Sequence, residues 1–110
     1  MSSISKVKQS IILTSTGQLQ KLKPSDGSAI SITKAQIMTI YGMSSNTDAE
    51  IKIYNEVGSA TAKNLIFHGK FGSAENHQHE FKLPGAGIYA DTGMYAVLAN
   101  IDFFYVVGTF

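Results

Sequence analysis

His77-Gln78-His79 comes nearer than any other arrangement in this 110-residue chain to a site for chemistry. On a strand, side chains two apart share a face, so the two imidazoles would point the same way, a pattern that suits zinc or copper. His68 would supply a third nitrogen from a neighbouring strand, and Glu75 and Glu80 would add carboxylate oxygens. A metal centre needs three or four donors converging on one point. The spacing brings only two together, and two half-buried polar residues of a strand account for the same letters.

Other chemistries find less support. The acids Asp48, Glu50, Glu56 and Asp91 are dispersed, with no pair placed to act as acid and base on one element. Serines are frequent, yet none sits in a G-x-S-x-G elbow. There is no cysteine, which excludes disulfides, zinc ribbons and thiol catalysis. Gly85-Ala86-Gly87 lacks the G-K-[ST] ending of a phosphate loop and reads as a turn. Tyr41, Tyr54, Tyr89, Tyr95 and Tyr105 would line a groove for sugar or single-stranded nucleic acid. Without Trp and with little basic charge beside them, packing is the better account. The reading is therefore of a protein that is not an enzyme and carries no cofactor.

Composition narrows the partners. The net charge is +1, and all nine basic residues are Lys. Arg supplies the bidentate recognition of phosphate and guanine, so nucleic acid is not expected as a partner. The charge is uneven: residues 1–34 hold five Lys against Asp26, and residues 35–110 hold four Lys against seven acids. Lys6 and Lys8 are accordingly expected to dock a polar N-terminal arm, residues 1–8, on an acidic surface. No run approaches the ~20 apolar residues that span a bilayer, and Ile11–Leu13 is too short for a secretory leader. The missing cysteines favour assembly in a cytosol.

Residues 9–110 suffice for one domain, since a chain of this size buries roughly 60–70% of its unfolded surface. Strands are expected over Val7–Thr14, Gln18–Leu22, Ser28–Thr33, Gln36–Tyr41, Ala49–Tyr54, Leu65–His68 and His77–Leu83. The alternative over Thr33–Met38 is a short helix. The clearest period of two is Ala49–Tyr54, with Ile51 and Ile53 set against Glu50, Lys52 and Tyr54. Pro24-Ser25-Asp26-Gly27 is a turn: Pro presets φ, Asp caps it locally and Gly takes the left-handed position. Eight or so short strands with no secure helix imply an all-β, single-domain antiparallel β-sandwich or jelly-roll-like barrel.

The last third of the chain is the best specified. Leu83-Pro84-Gly85-Ala86-Gly87-Ile88 and Gly93 punctuate a loop, followed by two apolar runs, Met94–Leu98 and Ile101–Val107. Only Ala99-Asn100 separates the runs, so they are expected to form a hairpin whose register the loop sets. Phe103-Phe104-Tyr105 puts aromatics on both faces of the last strand. One face fills the core and the other needs cover, which points to self-association through Ile101, Phe103, Phe104, Tyr105, Val107 and Phe110.

Leu83-Pro84-Gly85-Ala86-Gly87-Ile88, then Thr92-Gly93-Met94-Tyr95 and a final strand Phe103-Phe104-Tyr105-Val106-Val107, resemble the ending of a group of small tailed-phage virion proteins. The basic residue common in that group after G-I is missing, since Tyr89-Ala90 follows Ile88 here. The resemblance covers residues 49–110 and brings no catalytic residue. It implies a β-sandwich on the capsid surface of a virion: a decoration or cement protein, assembled in the host cytoplasm and bound to the major capsid protein. The doubly apolar last strand and the polar N-terminal arm lead separately to the expectation of a homo-oligomer, with a trimer favoured. The alternative is a receptor- or carbohydrate-binding module of a tail or head fibre. A metal-dependent barrel of the cupin type would need a Glu and a later His, and no His follows His79.

Overall fold

The alternation of the sequence closes into two facing antiparallel sheets. The computed structural model describes residues 8–45, 48–71 and 78–110. In chain order the strands are β1 (Lys8–Gln9), β2 (Gly17–Gln18), β3 (Gln20–Leu22), β4 (Ala29–Ser31), β5 (Ala35–Ser44), β6 (Glu50–Tyr54), β7 (Leu65–Lys70), β8 (Gln78–Lys82), β9 (Ile88–Ala90), β10 (Tyr95–Ala99) and β11 (Ile101–Thr109). Sheet A has the order β1-β11-β5-β8, with β9 also pairing β5, and sheet B has the order β2-β10-β6-β7. The chain crosses between the sheets from β1 to β2, from β2 to β5 by way of β3 and β4, and then from β5 to β6, β7 to β8, β9 to β10 and β10 to β11. That is jelly-roll connectivity over eight principal strands. β3 and β4 form a separate hairpin, with Lys23 N–H donating to the Ser28 carbonyl across its end.

The core lies between the sheets because each strand turns one face inward. Ile37 and Ile40 of β5 and Phe104 and Val106 of β11 meet Ile51 and Ile53 of β6 and Ala96 of β10, all fully buried. Leu19, Ile32 and Met94, in the connections, complete it. Residues 33–38 are not helical: β5 begins at Ala35 and buries Ala35, Ile37 and Ile40 on one face. The irregular step at Met38 is a bulge, where Val107 and Gly108 pair with Thr39 and Ile37. Of the strand expected at Val7–Thr14, the described residues 8–14 form β1 and a single bridge from Leu13 to Phe104. Lys8, the last residue of the expected arm, lies in β1 opposite Gly108.

The final hairpin does not form. β10 and β11 belong to different sheets, and Asn100, with φ 56°, turns the chain from one to the other. Its carbonyl accepts from Ser45 N–H at 2.8 Å, tying the corner to the end of β5. Local sequence does not separate a hairpin from such an arch, because both need two β runs and a short polar step. The core decides. Met94 and Ala96 cover it from sheet B, while Ile101, Phe104 and Val106 cover it from sheet A. Laid side by side in one sheet, the two runs would leave the opposite wall of the sandwich empty.

Candidate functional site

β11 sits in the middle of sheet A, so its alternation sorts the expected self-association residues into two groups. Ile101, Phe104 and Phe110 are buried in the core of this chain. Phe103, Tyr105 and Val107 point outward and are half-buried. On β5, Met43, Tyr41 and Thr39 stand directly opposite these three. The Tyr41 ring stacks on Tyr105 with centroids 5.3 Å apart and planes at 25°, and lies 6.3 Å from Phe103. The Tyr41 hydroxyl donates to Gln78 Oε1 at 2.7 Å, which anchors the outer end of that ring. Next to this apolar stripe, β8 presents a polar row of Gln78, Glu80 and Lys82, the last two paired at 3.4 Å.

Beside its aromatics, this outer face of sheet A carries among its described polar groups the Glu80–Lys82 ion pair and the Tyr41 hydroxyl bonded to Gln78. Among the described residues no layer covers it. Apolar area of this kind, if covered, adds roughly 25 cal/mol for each Å² removed from water.

The two described histidines, His68 and His79, do not converge. His68 lies on β7, on the outer face of sheet B, with Nε2 3.0 Å from Glu50 Oε2 and Lys52 opposite it in register. The His68 ring, ahead of Lys52, holds the Glu50 carboxyl below the ordinary carboxylate range. His79 lies on β8, turned inward at the sandwich edge, 4.3 Å from the Phe81 ring and 5.9 Å from Phe71. His77 and Glu75 lie outside the described residues, as does Lys6. Among the described residues no three His, Cys, Asp or Glu side chains group as metal ligands.

The loop of turn residues works differently from the expectation. Leu83 N–H donates to the Met38 carbonyl, and Gly87 N–H closes a turn onto Pro84. Ile88 then begins β9 against Ile37. Leu83, Pro84, Gly85 and Gly87 therefore carry the chain around the Met38 bulge, so that β8 and β9 both pair along β5. They set no hairpin register. Gly93 is not at positive φ; a Cβ there would lie 2.5 Å from the Glu56 carbonyl.

Reading the sequence alone missed the side chain that locks this loop. Asn55 Oδ1 accepts from the backbone N–H groups of Asp91, Thr92 and Gly93, at 3.1, 2.8 and 3.2 Å. Its Nδ2 donates to Asp91 Oδ1 at 2.7 Å. Beside it, Glu56 accepts from Thr61 N–H and from the Ser59 and Thr61 hydroxyls. The only local signal was an Asn leading the turn after β6, and its partners lie more than thirty residues away. Bonds from Asn55 and then Thr92 hold the Asp91 carboxyl low, and bonds led by Thr61 N–H do the same for Glu56.

Carboxyls lowered by folding stabilise the native state above their unfolded pKa, and that contribution is lost as pH falls through the folded value. Asn55→Ala is expected to cost about 1–3 kcal/mol, because three backbone donors lose one acceptor. It is also expected to flatten the fall in stability below about pH 4, where carboxyls protonate. Urea midpoints of both proteins across acid pH check both outcomes.

No family model matches the chain, and no curated protein or solved structure matches it.

Proposed function

We propose that this protein is a non-enzymatic structural subunit that docks on a larger protein lattice, in the manner of a capsid decoration or cement protein of a tailed phage. The observation that carries the reading is the outer face of sheet A. Tyr41 stacks there on Tyr105, with the Phe103 ring tilted 6.3 Å away, on paired strands that also present Met43 and Val107. An ordered apolar stripe that no described residue layers over is the kind of surface that marks an association site. The jelly-roll connectivity and the phage-like segment from Leu83 to Tyr95 support the same reading, by analogy of fold and motif. The partner is the major capsid protein, and each small contact is multiplied over the lattice.

Quantitative mass spectrometry of purified virions tests this reading. A copy number that is a fixed large fraction of the shell protein's is expected. A handful of copies per particle would move the protein to a tail or fibre and favour a receptor- or carbohydrate-binding module. Complete absence would overturn both. Tyr105→Lys is expected to abolish binding to undecorated shells in a co-sedimentation assay, because it buries a charge in the stripe, while leaving the monomer folded.

A further inference from the structure

β8 is an edge strand. Among the described residues it pairs only with β5, and no strand lies on its other side. Leu83 N–H donates toward β5, to the Met38 carbonyl. Backbone groups alternate sides along an antiparallel strand, so those of Phe81 also face β5 while those of Glu80 and Lys82 face outward. The outward groups form a template for a further strand.

Charged residues on an edge usually deter such pairing. Here the two charges are opposite in sign and two residues apart. Their side chains share the solvent face, at 47% exposure for Glu80 and 80% for Lys82. That arrangement is self-complementary under a two-fold axis. We propose that two copies of this chain pair edge to edge through β8, antiparallel and centred on Phe81, with Glu80 of each copy opposite Lys82 of the other.

In this register the outward backbone groups of Glu80 and Lys82 form hydrogen-bonded pairs with those of the other copy, and two cross-strand ion pairs form above them. Shifting the centre to Glu80 would set two carboxylates face to face. Pro84, which lacks an N–H, falls opposite Gln78 and limits the ladder to the central pairs. The neighbouring edge on sheet B, β7, offers no equivalent, because Lys70 is its only acidic or lysine side chain and has no opposite charge to meet. The contact is isologous and closes at two copies. It joins two A sheets into one and sets two aromatic stripes on a common surface. The proposal stands independently of the lattice on which that surface docks.

Sedimentation equilibrium of the full chain, from micromolar to near-millimolar concentration, tests it. A monomer–dimer equilibrium is expected. Glu80→Lys alone, or Lys82→Glu alone, sets like charges opposite each other twice and is expected to weaken the dimer about tenfold or more. The double exchange of Glu80→Lys with Lys82→Glu restores the complementarity and is expected to recover most of the affinity. Hydrogen exchange of the wild-type chain adds a measurement that needs no variant: protection of the Glu80 and Lys82 amides is expected to rise with concentration. A monomer throughout, a trimer, a dimer indifferent to single reversals, or a double exchange no better than the singles would each overturn the proposal. Tyr105→Lys is expected to leave this equilibrium unchanged, so failure of edge pairing and failure of shell docking are read separately.

Discussion

Gly87→Ala is expected to cost at least about 3 kcal/mol, whereas Gly85→Ala, two residues earlier, costs about 1 kcal/mol. Both glycines hold positive φ, at 78° and 61°, a conformation that disfavours any side chain. They differ in what lies beside them. A Cβ on Gly87 would stand 2.0 Å from the Ile37 carbonyl oxygen and 2.9 Å from its carbon. A Cβ on Gly85 would meet nothing within 4 Å. The obstruction at Gly87 is backbone of β5, the strand on which sheet A is built, and backbone cannot rotate aside as a side chain can. Relief would part β9 from β5 and shift the Met38 bulge. Thermal and urea unfolding of the two variants check the contrast. Equal losses would show that φ alone governs both positions and that β9 is free to retreat.

Phe104→Ala is expected to lose about 3–5 kcal/mol, and Tyr105→Ala no more than about 1 kcal/mol. Phe104 is fully buried at the centre of the core, where its ring has neighbours on every side. Removing it leaves a cavity that two stiff sheets cannot collapse into, so the cavity adds to the lost transfer energy. Tyr105 points the other way, and its loss gives up one stacked contact with Tyr41 on an open face. Urea midpoints check the stability difference, and the shell-binding assay reverses the ranking. The docking defect of Tyr105→Ala then appears in a protein that still folds, which separates an association residue from a core residue one position away.

The strand pattern was legible because period two is a local property. The strand expected at Ala49–Tyr54 forms over Glu50–Tyr54 with Ile51 and Ile53 inward. Tyr54, expected on the face of Glu50 and Lys52, is instead buried, beyond a register shift at Ile53. Gln78–Lys82 alternates with His79 and Phe81 on the more buried side. Phe103-Phe104-Tyr105 was also correctly expected to place aromatics on both faces of its strand. The residues named there for association were too many, since the sequence marks each residue as apolar without saying which face looks inward. That depends on the phase of the strand within the sheet. The phase is set by bulges at Asp102 and Met38, which local propensity does not announce.

The candidate sites show the same division. The spacing of His77 and His79 suggested a shared face, yet whether His68 could join them depended on which sheet each strand entered. β7 and β8 entered different sheets, so His68 stands on the outer face of sheet B beside Glu50 while His79 lies at the inner edge of sheet A beside Phe81. The Asn55 clamp joins residues more than thirty positions apart, and no window of sequence contains both of its ends.

By itself, then, the sequence determined an all-β chain of short amphipathic strands, the places of most turns and the absence of thiol chemistry. These follow from side-chain period, from Gly and Pro geometry and from composition, each complete within a few residues. Only the tertiary structure decided that Ala99-Asn100 is a crossing between sheets, that β11 is a central strand, and that Tyr41 meets Tyr105 across it. Those are choices among pairings of similar local energy. They are settled by the need to cover one core from both sides, a condition that no segment can satisfy alone.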